Sequence, residues 1–181
     1  MIRLASSSQT RAQLLLGTGI EFIQEAKDFD EDSIIATSAK NFVYQATLGK
    51  YETNLKAFGF SDYPLLVADT VVTSQGQILR KAKCIDDARN ILMTQSGSIT
   101  SIITCMIYQS CKMKLIDISS TDYIFSDFDM DDLEDYLSSG EWRGKAGACM
   151  VEGFCKPYIK EVRGFESTAM GLNTEVLKRF I

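Results

Sequence analysis

The chain predicts an α/β fold built on a mixed sheet, and three observations point to it. Apolar runs of strand length alternate with segments of helical periodicity, so strands and helices interleave rather than segregate. Two pairs of strand-like runs are separated by turns short enough for antiparallel hairpins, which argues against a doubly wound, all-parallel sheet. No repeat, linker or low-complexity stretch divides the 181 residues, and residues 1–181 read as a single domain.

Ile2 to Ala5 is a short strand. The hydroxyl-rich turn Ser6-Ser7-Ser8 opens a helix from about Gln9 to Leu16, which Gly17 and Gly19 can close. Beyond an acidic loop at Asp28 to Asp32, Ser38 caps a helix running to about Phe58. Tyr44, Leu48, Tyr51, Leu55 and Phe58 make one apolar stripe of that helix, and Phe42, Val43, Ala46 and Ala57 lie opposite, with Lys50 in the second face. Leu65 to Ala68 is an apolar run ending at Asp69. It continues as strand through Thr73 into a Gln75-Gly76 turn and a return strand at Gln77 to Leu79. Asp86 to Thr94 is a helix closed near Gly97. Ile99 to Tyr108 and Met113 to Phe125 alternate as paired strands around Gln109 to Lys112. Asp129 to Ser138 is a helix stopped by Gly140, strands follow near Cys149 to Val151 and Tyr158 to Val162, and Thr174 to Phe180 makes a terminal helix.

The amino-acid inventory excludes several chemistries. The chain has no histidine, which removes Ser-His-Asp and Cys-His nucleophilic triads and every metal site that needs an imidazole. A net charge of −5 and a pI near 4.8 argue against a nucleic-acid-coating surface, which needs a broad basic stripe. A small anionic ligand needs only a local cluster of lysine and arginine. No apolar run approaches the roughly 18 residues of a membrane span, and the N-terminus lacks a signal-peptide pattern, so the expected location is the cytoplasm. Cys84, Cys105, Cys111, Cys149 and Cys155 form no Cys-x-x-Cys pair and are expected to be reduced, with Cys149 and Cys155 buried as small hydrophobes.

Several groups could carry chemistry. The turn SSSQTR sets hydroxyls and Arg11 where helix N–H groups lack partners, which suits a phosphate and equally an ordinary serine cap. Asp69 ends a buried apolar run, where a charge is costly unless it meets a cleft, a metal or a partner; pinning a turn is the structural alternative. Lys50 on an apolar helix face, Lys81 in Arg80-Lys81-Ala82-Lys83, and Glu31 in the acidic loop each have an ordinary reading as solvated charge. Asp127, Asp129 and Asp131 imitate the start of a calcium loop. Asp132 replaces its turn glycine and Ser138 its closing glutamate, so acidic residues favouring a helix N-terminus explain the run better. Neither GxxxxGK[ST] nor GxGxxG occurs.

The order of motifs adds what no single one carries. LASSSQTR, Asp30-Glu31, Lys50, VADTVV, RKAK, Ser96-Gly97, EWRGKAGACMVEG and GLN resemble, in order and over nearly the whole chain, the Maf family of septum-formation-inhibitor-like nucleoside triphosphate pyrophosphatases. The usual pattern there is LASxSPRR, DE, KA, ADTVV, GKP, SGxxH, KAGAYxIQG and GLP. The resemblance implies an elongated mixed sheet flanked by helices, two lobes with a central cleft, similar to inosine triphosphate pyrophosphatases, and a homodimer. It also implies hydrolysis of a nucleoside triphosphate to monophosphate and pyrophosphate with Mg²⁺ or Mn²⁺, limiting incorporation of non-standard nucleotides and linked to cell-division arrest.

By motif, Ser6, Ser8 and Arg11 would hold phosphate, and Glu31 and Asp69 would serve metal and water. Lys50 and Lys81 would neutralise the triphosphate, and Thr70 and Glu152 would lie near the base. The chain departs from the pattern at Thr10, Ala82, Thr100, Glu152 and Asn173, with Thr100 standing where the family has histidine. Thr70 resembles the branch favouring dTTP and UTP, whereas Glu152 resembles the 7-methyl-GTP branch. A nucleotide-binding cell-division regulator that has lost hydrolysis is the alternative function.

Overall fold

In the computed structural model of the chain, residues 1–31 and 34–181 are described; Asp32, at the end of the expected acidic loop, lies outside them. Seven strands form one sheet: β1 (Ile2–Leu4), β2 (Phe22–Gln24), β3 (Leu65–Ser74), β4 (Gln77–Leu79), β5 (Ile99–Gln109), β6 (Lys114–Phe125) and β7 (Ile159–Arg163). Their order is β2-β1-β3-β5-β6-β7, with β4 paired to β3. β1 is parallel to both β2 and β3, whereas β3–β4 and β6–β7 are antiparallel, so the sheet is mixed as the hairpins predict. The helices are α1 (Gln9–Leu16), α2 (Ala39–Phe58), α3 (Ile85–Gln95), α4 (Met130–Ser139), α5 (Glu166–Ala169) and α6 (Thr174–Leu177).

The chain resolves into two compact units. Met1–Thr70, Ile103–Ser120 and Phe165–Ile181 form the first, and Val71–Ile102 with Thr121–Gly164 form the second. In the first unit the period-2 alternation of β3 and β5 divides the core between two faces. Leu66 and Ala68 of β3 and Met106 and Tyr108 of β5 pack with Ala12 and Leu15 of α1. Leu65 and Val67 of β3 and Ile107 of β5 pack with Tyr51, Leu48 and Leu55 of α2. Continued by one step each way, the same alternation sends Asp69 toward α2 and Thr70 toward α1.

In the second unit the Gln75-Gly76 turn closes the β3–β4 hairpin with both residues at positive φ, 49° and 75°, the geometry of a two-residue primed turn. Trp142 is buried and its indole N–H donates to the Leu137 carbonyl at 2.9 Å. Phe128 meets Phe125, Phe154 and Tyr158 edge to face, and Phe154 stacks on Tyr136.

Some expectations give way. β2 has no counterpart in the sequence reading, its three residues standing without the turn or hairpin signal that marks the equally short β1 and β4. The strand expected near Cys149 to Val151 is a run of turns, folded back by Gly153 N–H and Cys155 N–H both donating to the Met150 carbonyl at 3.0 Å. That folding overturns the reduced state expected of two of the cysteines: Cys149 and Cys155 are joined as a disulfide, their Cα atoms 6.3 Å apart. Cys84, Cys105 and Cys111 are free. The terminal helix is four residues, preceded by α5, and the buried side of α2 includes Thr47 and Asn54 whereas Ala57 is exposed.

Candidate active site

The first unit assembles a carboxylate–lysine centre. Asp69 is only 7% exposed, and Lys50, reaching across from α2, donates to its Oδ1 at 2.5 Å. The same ammonium contacts Glu31 Oε1 at 2.5 Å. Asp69 therefore pins no turn, and Lys50 is not a snorkelling lysine: its side chain is 21% exposed and bridges two carboxylates. Burial is the largest influence on Asp69 and pushes its carboxyl above the ordinary aspartate value. Lys50 opposes that, Glu31 adds to it, and Arg11 opposes it.

Arg11 organises the other face. Its Nε donates to the Gly171 carbonyl at 2.8 Å, Nη1 to Ser6 Oγ at 3.2 Å and Nη2 to Thr70 Oγ1 at 3.0 Å. A guanidinium has five N–H groups, and among the described residues the remaining two, one on each terminal nitrogen, meet no acceptor. That pair has the fork geometry that suits a phosphate. Burial lowers the Arg11 pKa, while Asp69 and then Glu31 act to raise it, so the guanidinium feels both carboxylates. Gly171 permits the approach: its φ is +104°, and a Cβ there would lie 3.2 Å from both Arg11 Nε and Thr70 Oγ1.

The serines divide their work. Ser8 caps α1 by accepting from the Arg11 backbone N–H at 3.3 Å, as the plain capping reading expects. Ser6 accepts both from the Ser8 N–H and from Arg11. Thr70 continues into a relay that the sequence reading missed. Thr104 donates its hydroxyl hydrogen to the Thr168 carbonyl at 2.7 Å, so Thr70 is the donor in the 2.9 Å contact between the two hydroxyls. The signal available was the parity of β5, which places Thr104 on the face of Met106 and Tyr108.

Lys81 and Glu152 belong to the second unit. Lys81 is exposed and forms an antiparallel bridge with Ala146, which joins the RKAK and KAGA segments. Lys81, Arg80, Lys83 and Asn90 line an open groove of about 550 Å³. Glu152 is exposed on the turns between Cys149 and Cys155; with burial and Glu141 it helps push the Tyr136 hydroxyl up to about 12. Thr100 is 2% exposed and its hydroxyl has no partner among the described residues. Asp129 caps α4 through the N–H groups of Asp131 and Asp132, which accounts for the acidic run.

For a metal, the donor set at Lys50 offers two carboxylates, hard oxygen ligands that fit a small divalent cation completing its shell with water and phosphate. Among the described residues no group of three or more Asp, Glu or Cys side chains is placed to hold an ion by itself.

A mixed α/β sheet presenting a carboxylate–lysine pair on one face and a partly unoccupied arginine on the other defines a class of phosphate-handling proteins. The chain belongs to the Maf-like protein family, which matches it over residues 1–181. It is 55% identical over 179 residues to a nucleoside triphosphate pyrophosphatase of a Nitratiruptor species, covering 98% of this chain and 96% of that one. It is 38% identical over 174 residues to a protein of the same name from Helicobacter pylori, covering 96% and 91%. A third of that name, from Campylobacter jejuni subsp. jejuni, is 35% identical over the full length of both chains. Among the described residues no helix is long and apolar enough to cross a membrane.

Proposed function

We propose that the chain hydrolyses nucleoside triphosphates to the monophosphate and pyrophosphate, as one functional domain over residues 1–181, in the cytoplasm. The observation that carries the reading is Lys50 held between Glu31 and Asp69, with Arg11 under the field of both carboxylates, in a chain whose relatives bear that name. Phosphoryl chemistry asks a protein chiefly to place a water and to offset negative charge spread over oxygens, and neither task needs histidine.

Asp69 is the group to accept the proton of the water that attacks the α-phosphorus, because burial has already raised its affinity for a proton. Lys50 keeps both carboxylates in place, and Arg11 offers its two remaining N–H groups to phosphate oxygens. Ser6 and Thr70 hold the guanidinium in that orientation. Glu31 and Asp69 would hold Mg²⁺ or Mn²⁺, which supplies charge to the phosphate oxygens and makes a bound water more acidic. The family resemblance adds Lys81 to the charge around the triphosphate and Glu152 to recognition of the base. An ionised Glu152 accepts hydrogen bonds but donates none, so it favours a base edge rich in N–H groups over thymine O4.

Incubation with a panel of canonical and modified nucleoside triphosphates plus Mg²⁺, with detection of pyrophosphate, tests the reading. Asp69→Asn is expected to lower turnover by on the order of a hundredfold or more. Wild-type turnover in that variant would remove Asp69 from the reaction, and nucleotide binding without pyrophosphate release would leave the regulator in its place.

A further inference from the structure

We infer that Gly49 and Phe29 form a size-matched joint that sets the Glu31 carboxylate on Lys50, making both of them positioning residues of the centre; the inference rests on the pyrophosphatase reading above. Glu31 lies outside any helix or strand, so something other than regular secondary structure must fix it. Among the contacts of this segment with α2, two lead up to Glu31. Asn54, 1% exposed, accepts from the Lys27 backbone N–H at 2.8 Å and donates to the Lys27 carbonyl at 3.2 Å, while also donating to the Lys50 carbonyl one turn back. Two residues further on, the half-buried Phe29 ring lies directly over Gly49, and a Cβ built at Gly49 would fall within 3.0 Å of the ring's Cζ, Cε1 and Cε2. Two more residues bring the chain to Glu31, whose carboxylate meets the lysine next to that glycine.

Glycine inside a 20-residue helix is otherwise unfavourable relative to alanine, and φ at Gly49 lies in the ordinary helical range. Space for the ring is the physical reason for a glycine there. An added methyl leaves two outcomes: the segment lifts and carries Glu31 off Lys50, or the ring swings into solvent and the segment loses the anchor nearest Glu31.

The test is crystallography and steady-state kinetics of Gly49→Ala, Phe29→Leu and the double variant, with Asp69→Asn measured beside them. Gly49→Ala is expected to lower kcat by about tenfold or more with a much smaller change in nucleotide KM, since misplacing a supporting carboxylate by an ångström affects the reacting geometry first. Its Tm is expected to stay within a few degrees of the wild-type value, because the gain of alanine in the helix offsets the lost ring contact, and its structure should show Glu31 out of hydrogen-bond reach of Lys50 while the Lys50–Asp69 pair persists. Leucine lacks the three ring atoms in conflict, so Gly49→Ala/Phe29→Leu should regain most of the lost kcat together with the Glu31–Lys50 contact. An intact Glu31–Lys50 contact in Gly49→Ala, or a double variant no better than Gly49→Ala, overturns the inference. Nucleotide binding without pyrophosphate release by the unaltered chain would sink the hydrolysis reading instead. Wild-type turnover in Asp69→Asn would only remove Asp69 from the reaction, and in either case the Glu31–Lys50 distance in Gly49→Ala would still decide the joint.

Discussion

Burial works against a charge on Asp69, and this separates its contribution to stability from its contribution to activity. Its folded-state pKa is raised, chiefly by burial, so the folded chain holds the proton more tightly than the unfolded chain does. Stability from that proton is present below the unfolded pKa and is lost as pH rises through the folded one, so at pH 7 the charged carboxylate is a net cost. Asp69→Asn is therefore expected to raise Tm at pH 7 in a chelating buffer while turnover collapses, and the Tm gap should close as pH falls toward the aspartate range. A lower Tm at pH 7 would mean that pairing with Lys50 outweighs burial. Thr104 offers a second separation. Thr104→Val keeps the shape but removes the acceptor of the Thr70 hydroxyl, freeing Thr70 to turn away from Arg11. The loss of one such hydrogen bond is expected to raise nucleotide KM by about three- to tenfold with kcat affected less, and Thr104→Ser should restore it. Unchanged KM in Thr104→Val would leave the relay a packing feature. Asp69, Lys50 and Glu31 are legible in sequence because a charge in an apolar run, or one recurring in an ordered motif, stands out in one dimension. Thr104, Asn54 and Gly49 are not, since a threonine in a strand or a glycine in a helix acquires its meaning only from what faces it.

At the scale of elements, the parity of β3 does most of the positioning. Consecutive residues point to opposite faces, so Asp69 and Thr70 address α2 and α1 respectively, and a one-residue slip would exchange them. That is readable from LLVADTVV once both helices are assigned, and the long strands and helices are legible because their periods repeat several times. The brief pieces are less so: β2 and α5, of three and four residues, have no counterpart in the sequence reading, α6 is shorter than the helix expected there, and the turns around Cys149 are set by backbone hydrogen bonds that leave no period. α1 tests the division of labour between its two serines. Ser8→Ala removes the cap on the Arg11 N–H and should cost about 1 kcal/mol in urea unfolding. Ser6→Ala, which leaves that cap in place, should instead weaken nucleotide binding by loosening the guanidinium. Equal effects of the two substitutions on both measurements would dissolve the distinction.

For the molecule as a whole, the balance of charge decides how an anionic substrate arrives. The chain carries a net charge of −5, so at long range it repels a nucleoside triphosphate, and attraction falls to local basic groups, Arg11, Lys50 and Lys81 in the reading above. Salt acts unequally on these two terms. The screening length shrinks from about 30 Å at 0.01 M to about 8 Å at 0.15 M, which removes the long-range repulsion while leaving a half-buried guanidinium and ammonium largely unscreened. kcat/KM at fixed free Mg²⁺ is therefore expected to hold level or rise slightly across that range. A surface built for polynucleotides behaves oppositely, because each phosphate contact releases counterions and affinity falls steeply with salt. The paired measurement is inhibition by single-stranded DNA at the same phosphate concentration as the substrate, expected to be negligible at 0.01 M salt. A steep decline of kcat/KM with salt, together with inhibition by DNA, would place the basic groups of the second unit, Arg80, Lys81 and Lys83, in a surface for longer anions. A level profile without inhibition would confine recognition to a single nucleotide.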